Sequence, residues 1–139
     1  MSELKVCHRY PFPPERVFDA WLDPKTAGRF LFATPDGEMV RAEVDPRVGG
    51  RFVFVDRRPD TGDVEHVGEY LEIDRPRRLV FTFAVPQYDP AVTRVTLDVA
   101  AADGGCEVTL THEGVLEDWK AQTRQGWGTI LAGLERALA

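Results

Sequence analysis

The sequence has very few of the residues that most catalytic and metal sites need. Its 139 residues include no asparagine, a single serine at Ser2, three histidines and two cysteines. A triad built on a buried serine nucleophile is therefore excluded. A structural zinc site is not expected either, because such sites usually use four ligands in close pairs. No glycine-rich phosphate-binding motif is present. The sequence thus predicts no catalytic residues, no metal and no cofactor.

Long hydrophobic runs and an excess of basic residues are also missing. No apolar stretch approaches the ~18 residues of a membrane-spanning helix, and residues 1–5 do not begin like a signal peptide. The 17 Lys and Arg against 23 Asp and Glu leave a net charge of −6, whereas binders of nucleic acid or anionic membranes need a basic surface. We therefore expect a cytoplasmic protein that binds neither nucleic acid nor membrane. With no linker or repeat, residues 1–139 are expected to form one domain.

The first thirty residues predict a strand followed by two short helices. Inward and outward side chains alternate from Leu4 to Tyr10, which is typical of a half-buried strand. Pro14 suits the first turn of a helix whose apolar face falls at residues 17, 18, 21 and 22. Asp23 and Pro24 resemble the N-cap and first residue of a second helix that ends near residue 30.

Six strands joined by short turns are predicted next, after a turn at residues 35–37. Alternation and β-branched or aromatic content place them at residues 39–44, 52–55, 64–73, 79–83, 92–99 and 106–111. Short turns between successive strands imply an antiparallel meander. Gly68 predicts either a bulge or the close approach of another group.

The last part of the chain predicts a long amphipathic helix. From about Leu116, apolar positions recur every three or four residues, as on one buried helical face. These positions are Trp119, Gly126, Trp127, Ile130, Leu134 and Leu138. A sheet with one apolar face must cover it, and this is the one long helix available. We therefore predict an α+β fold of order β-α-α-β6-α, with a curved seven-stranded antiparallel sheet wrapped around the C-terminal helix.

Several short motifs occur in a fixed order along the chain. They are Phe12-Pro13, VFDAW at 17–21 with Asp23-Pro24, RVGGRF at 47–52, GEYLEI at 68–73, PRRLVF at 76–81, and Gly126-Trp127 with the apolar positions that follow. In this order they resemble the motifs of the START-like (SRPBCC, helix-grip) superfamily. Together they resemble the bacterial subgroup named after the activator of the heat-shock protein 90 ATPase. Many relatives have tryptophan just after the second helix, where this chain has Phe30-Leu31-Phe32.

The resemblance implies a deep cavity between sheet and helix that suits an apolar or aromatic ligand. The candidate lining residues face inward from four strands and the helix: Phe52, Phe54, His66, Tyr70, Phe81, Phe83, Val95, Leu97, Trp127 and Ile130. The same aromatic side chains would also make an ordinary core, because aromatics bury large areas wherever they lie.

His66 and Tyr70 are the candidates for chemistry in such a cavity. They share one face of a predicted strand, and Gly68 between them would leave room for a ligand. An imidazole and a phenol there would anchor a ligand carbonyl or act as acid and base. The competing interpretation is an edge-strand or surface histidine. His112 is expected at the cavity rim or at a strand end, and His8 is expected to be structural.

Three functions therefore stay open, and the leading one is the binding of a small hydrophobic or aromatic molecule by a monomer or homodimer. The second is a cavity enzyme of the cyclase, dehydratase or hydrolase type. The third is a module that contacts a chaperone, as the subgroup's name suggests. The resemblance also places Cys7 and Cys106 on neighbouring strands, but their registers give them opposite faces, so we expect two free thiols.

Overall fold

The computed structural model describes residues 2–32 and 36–139 of the chain. The elements are β1 (Ser2–Tyr10), α1 (Pro14–Ala20), α2 (Pro24–Phe30), β2 (Glu38–Val44), β3 (Arg51–Arg58), β4 (Gly62–Asp74), β5 (Arg78–Val85), β6 (Asp89–Ala102), β7 (Gly105–Val115) and α3 (Lys120–Leu138). This order confirms the predicted α+β fold. Most strands extend beyond their predicted ends, and the predicted turn at Pro35 lies outside the described residues.

All seven strands form one antiparallel sheet in the order β1-β7-β6-β5-β4-β3-β2. Strands β2 to β7 form the meander that the short turns predict, and β1 pairs beside β7. In this last pair Val6 lies opposite Leu110 and His8 opposite Val108. The first strand of the chain is therefore one edge of the sheet, and β2 is the other.

The two short helices begin where the proline and aspartate residues predict. Pro14 is the first residue of α1. The carboxylate of Asp23 accepts a hydrogen bond from the backbone N–H of Lys25 at 3.1 Å, which caps α2. Val17 and Phe18 on α1 are almost completely buried, so the predicted apolar face packs into the core.

Helix α3 covers the apolar face of the sheet. Its buried side chains are Trp127, Leu131 and Leu134, spaced by three and four residues as one helical face requires. The hydroxyl of Tyr10 on β1 donates to the backbone carbonyl of Leu131 at 2.8 Å and ties the helix to the edge strand. None of the helices in the described ranges is long and apolar enough to cross a membrane.

The prediction for the start of this helix is wrong in one respect. Residues Glu117–Trp119 form a 3₁₀ turn before α3, and Trp119 is 55% exposed. Trp119 therefore does not belong to the buried face. Its spacing to Trp127 fits an α-helix, but the different geometry of a 3₁₀ turn puts its side chain in another direction.

Gly68 is a point of close approach and not a bulge. A Cβ atom there would lie 1.9 Å from the carbonyl oxygen of Thr82 and 2.4 Å from the ring of Phe52. The register between β3 and β4 runs through Gly68 without a break, and the irregularity in β4 falls at Leu71. The space beside Gly68, which we expected a ligand to use, is filled by Phe52.

The two cysteines lie on opposite faces of neighbouring strands, as their registers predict. Cys7 is exposed and lies opposite Thr109, whereas Cys106 is buried and lies opposite Tyr10. Both are free thiols in the structure.

Candidate functional site

A pocket of about 470 Å³ lies between the first half of α3 and strands β3, β4 and β5. Its apolar wall consists of Phe32, Phe83, Trp127 and Ile130, with the imidazole of His66 among them. A volume of this size lies within the ~300–1,000 Å³ that small-molecule sites usually occupy. The pocket therefore has the size and the lining of a binding site for a small apolar molecule.

The pocket lining also includes polar side chains. They are Gln122, Thr123, Gln125 and Thr129 on α3, together with Arg58 at the end of β3. The hydroxyl of Thr129 donates to the backbone carbonyl of Gln125 at 3.1 Å, which leaves its oxygen able to accept a hydrogen bond. A ligand in the pocket would therefore meet aromatic rings together with amide and hydroxyl groups.

Phe32 stacks on two residues of the sheet. Its ring is nearly parallel to the His66 ring at 4.4 Å between centroids and to the Phe83 ring at 4.9 Å. Phe32 follows α2 and has a backbone φ of 62°. A bulky side chain rarely adopts this left-handed conformation, which costs about 1–2 kcal/mol. The packing of its ring in the pocket wall offsets this strain.

A chain of hydrogen bonds fixes Trp127 in the wall. Its indole N–H donates to Nδ1 of His112 at 2.9 Å. Because Nδ1 accepts, the proton of the neutral His112 ring is on Nε2, which lies 2.7 Å from the hydroxyl oxygen of Thr93 and donates to it. The Thr93 hydroxyl donates in turn to the carbonyl of Phe83 at 3.1 Å. Both nitrogens of His112 are therefore satisfied, and burial lowers the pKa of His112 to about 4.

His66 is the second buried histidine, and it lies in the pocket itself. Its Nδ1 is 3.3 Å from the carbonyl oxygen of Phe54 on the neighbouring strand. Burial lowers the pKa of His66 to about 4, although hydrogen bonding to the carbonyls of Phe54 and Val64 opposes the shift. The His66 ring is therefore uncharged at neutral pH.

One of the lining residues, Arg58, belongs to an ion pair. Nε of Arg58 lies 3.0 Å from Oδ2 of Asp56, whose side chain is 1% exposed. Asp56 and Arg58 lie on the same face of β3 because they are two residues apart. Asp56 is buried, so this is the inner face. The Arg58 charge tends to lower the pKa of His66 and the Asp56 charge tends to raise it, so the pair lies close enough to affect the imidazole.

The structure divides the predicted cavity residues into two groups. Four of them, His66, Phe83, Trp127 and Ile130, line the pocket. The other six lie in the packed core and do not line it: Phe52, Phe54, Tyr70, Phe81, Val95 and Leu97.

His66 and Tyr70 share the inner face of β4, but they do not meet in the pocket. The ring of Phe52 packs over Gly68 between them, with its centroid 5.6 Å from that of Tyr70. Burial raises the pKa of the Tyr70 hydroxyl above its usual value, which makes it a poorer acid. One substrate would not reach both side chains in this arrangement.

Sequence reasoning missed several residues that shape the site. Phe32 gives no periodic signal, since it lies between α2 and β2. His112 was expected at the cavity rim or a strand end, yet it is buried within β7, where it holds Trp127. The polar residues of the lining had a usable signal, because Thr123 lies four residues before Trp127 and so on the same helical face.

These features define a class of protein. A seven-stranded antiparallel sheet around a long C-terminal helix, with a pocket between them, is the helix-grip fold of START-like domains. The family described as "Activator of Hsp90 ATPase homolog 1-like protein" matches residues 11–139. The chain belongs to this family, whose fold is in general of a ligand-binding type.

Solved structures of bacterial proteins share the fold over almost the whole chain. The AHSA1-like protein from Aeromonas hydrophila is 26% identical with a TM-score of 0.84, over 98% of this chain and 91% of that one. A protein from Chromobacterium violaceum is 23% identical with a TM-score of 0.84, over 98% and 96%. One from Nitrosomonas europaea is 21% identical with a TM-score of 0.83, over 99% and 94%. A comparison with curated proteins finds no match.

Proposed function

We propose that this protein binds a small hydrophobic or aromatic molecule in the pocket beneath α3. The observation that carries the proposal is the pocket of about 470 Å³, whose lining combines aromatic side chains with a few polar groups. Small-molecule sites typically combine a mostly apolar lining with a few polar groups that orient the ligand. The fold and family, which are of ligand-binding type, support the same conclusion.

The aromatic wall is held in place before any ligand arrives. Trp127 is fixed by its hydrogen bond to His112, and Phe83 contacts it edge to face at 6.0 Å between centroids. Side chains that do not need to be ordered on binding cost less conformational entropy, which strengthens binding. The apolar part of a ligand would contribute about 25 cal/mol for each Å² that it removes from water.

We also propose that the protein acts in the cytoplasm, as a monomer or homodimer, without nucleic acid or membrane partners. The net charge of −6 disfavours polyanionic partners. An exposed free thiol at Cys7 is better maintained in a reducing compartment.

A catalytic function in the same pocket is a second candidate, and His66 favours it. A buried histidine with a strongly lowered pKa in a pocket is a common feature of active sites. However, general acid–base catalysis works best when the pKa lies near the working pH, and the value of about 4 for His66 makes it a weak base. Binding is therefore the function that the site supports better.

A thermal-shift screen tests the proposal. Fatty acids, flavonoids, polyketides and aromatic acids would each be added to the purified protein while its unfolding is followed. At 100 times its dissociation constant, a ligand adds about 2.7 kcal/mol to the free energy of unfolding. For a domain of this size, we expect the melting temperature to rise by about 5–15 °C.

Two tryptophan substitutions on α3 show whether a ligand that raises the melting temperature binds in the pocket. Ile130→Trp places a large ring in the pocket and should abolish the shift. Arg124→Trp adds the same ring at an exposed position of the same helix and should leave it unchanged. The proposal is wrong if no compound raises the melting temperature, or if Ile130→Trp binds as well as the wild type. Release of a chemically changed product would favour the catalytic candidate.

A further inference from the structure

The two buried histidines differ in how their nitrogens are satisfied. Both nitrogens of His112 have partners, Trp127 on one side and Thr93 on the other. On His66, Nδ1 lies 3.3 Å from the carbonyl oxygen of Phe54, and the carbonyl of Val64 also lies close enough to the ring to raise its pKa. Among the described residues, none makes a hydrogen bond to Nε2 of His66. A ring nitrogen without a protein partner at a pocket wall is free to bind a group on a ligand.

The partner of Nδ1 determines what Nε2 can do. A carbonyl oxygen can only accept, so Nδ1 of His66 carries the ring proton and donates it to Phe54. The ring is neutral at neutral pH because burial lowers its pKa. Nε2 therefore has a lone pair and no proton, and it can only accept a hydrogen bond.

One aromatic ring stacks on the His66 ring, and a second lies beside it. Phe32 stacks on it at 4.4 Å and Phe83 lies nearly parallel to it at 6.2 Å between centroids. The edge that carries Nε2 is the part of the ring farthest from the backbone, and His66 lines the pocket. A ligand that contacts this residue would meet a hydrogen-bond acceptor within an aromatic surface.

The charges near His66 favour a neutral ligand group over an anion. Arg58, a cation in the pocket lining, is already paired with the buried carboxylate of Asp56 at 3.0 Å. A carboxylate on the ligand would bring another acceptor towards the Nε2 lone pair and a second negative charge towards Asp56. A hydroxyl group has neither disadvantage, because it is uncharged and can donate.

We propose that the pocket selects phenols, in which an aromatic body fills the apolar wall and the hydroxyl group donates a hydrogen bond to Nε2 of His66. This inference rests on the proposed function, since it names the class of ligand for the same pocket. One donated hydrogen bond of ordinary net strength corresponds to about a fivefold change in affinity, or about 1 kcal/mol.

The test compares two probes that differ only in the donor. The dissociation constants of 4-phenylphenol and 4-methoxybiphenyl are measured by isothermal titration calorimetry at pH 7, with 4-biphenylcarboxylate as a third probe. We expect the phenol to bind about fivefold more tightly than its methyl ether and more tightly than the carboxylate. Methylation removes the donor but keeps the oxygen and the aromatic body, so the difference reports the hydrogen bond.

The variant His66→Phe keeps an aromatic ring at the site and removes the acceptor. We expect it to bind both biphenyl probes with similar affinity. His8→Phe makes the same substitution on β1, where the His8 ring contacts Glu135 away from the pocket, and should keep the preference for the phenol. His66→Leu is the second variant if His66→Phe does not fold, and it should lose the preference as well.

The outcomes separate this inference from the proposed function. Equal affinity of the wild type for the phenol and the ether overturns the inference and leaves the proposed function standing. The same is true if the carboxylate binds most tightly, or if the preference survives in the folded His66 variants. Failure of all three probes to bind overturns the inference, and the proposed function is overturned as well only if no compound of the thermal-shift screen raises the melting temperature.

Discussion

His66 and His112 lower the stability of the protein in mild acid. Burial gives each a pKa of about 4 in the folded state, against 6.5 for an ordinary histidine. Between these values the unfolded chain binds protons that the folded protein does not. The free energy of unfolding is therefore expected to fall as the pH is lowered from 6.5 towards 4, by up to about 3 kcal/mol for each histidine.

Urea unfolding at several pH values between 7.5 and 4.5 measures this loss. Over most of this range the ion-paired carboxylates do not interfere. Arginine partners lower the pKa values of Asp19, Asp63 and Glu113, so their contribution is lost only at lower pH. His66→Phe should remove about half of the pH dependence. A free energy of unfolding that stays constant between pH 6.5 and 4.5 would show that the two histidines are not buried as described.

Gly68 is required by the packing around it, and Gly128 is not. A methyl group on Gly68 would come within 2.4 Å of Phe52 and 1.9 Å of the Thr82 carbonyl, so neighbouring groups would have to move. We expect Gly68→Ala to lower the free energy of unfolding by about 1–3 kcal/mol. Gly128→Ala meets no atom within 4 Å and should raise it by about 0.5–1 kcal/mol, because alanine is the better helix former. Urea denaturation of the two variants should therefore give opposite signs, and a tolerated alanine at position 68 would contradict the close approach.

Among the elements, helix α3 is the one that buries the apolar face of the sheet. Leu131 is completely buried against the sheet, and Leu131→Ala should lower the free energy of unfolding by about 2–5 kcal/mol through lost burial and a cavity. Arg124→Ala, at an exposed position on the same helix, should change it by less than about 0.5 kcal/mol. The urea denaturation midpoints of the two variants are measured. If both differ little from that of the wild type, α3 does not pack on the sheet through Leu131.

The pairing of β1 with β7 can be tested through the two thiols. Cys7 is exposed, whereas Cys106 is buried and its pKa is raised by burial. A thiol reagent such as Ellman's reagent should therefore modify one cysteine quickly in the folded protein and both in the unreduced, unfolded chain. Two fast thiols in the folded state would show that the face assignment of β7 is wrong, and none in the unfolded state would reveal a disulfide.

Elements with a regular pattern could be predicted from the sequence, and irregular segments could not. Alternation fixed the strands and their faces because the side-chain period of a strand is two, and Asp23-Pro24 marked the start of α2. Trp119 shows where prediction from periodicity fails, since a 3₁₀ turn and an α-helix give similar apolar spacing over a few residues. Phe32 has no periodic neighbours at all, and its place in the pocket depends on a left-handed backbone conformation.

At the scale of the whole molecule, the sequence was informative about the fold and much less so about the pocket. The fold persists in relatives only 21–26% identical to this chain, as expected when it depends on apolar patterning more than on particular residues. The pocket depends on which inward residues remain uncovered. Phe54 and His66 are opposite each other on neighbouring strands, yet His66 lines the pocket and Phe54 does not. Periodicity indicates which residues face inward, but not which of them are covered by other side chains and which line the pocket.

The position of β1 at the edge beside β7 determines when the sheet can be completed during synthesis. Cys7 and Thr109 lie side by side although 102 residues separate them in the chain. At about 5–20 residues per second, the first strand waits about 5–20 s after it is made before its partner exists. The meander from β2 to β6 can pair as it emerges, but β7 and α3 follow it in the chain. The sheet is therefore completed only after β7 has been made, and its apolar face is covered only after α3 has followed.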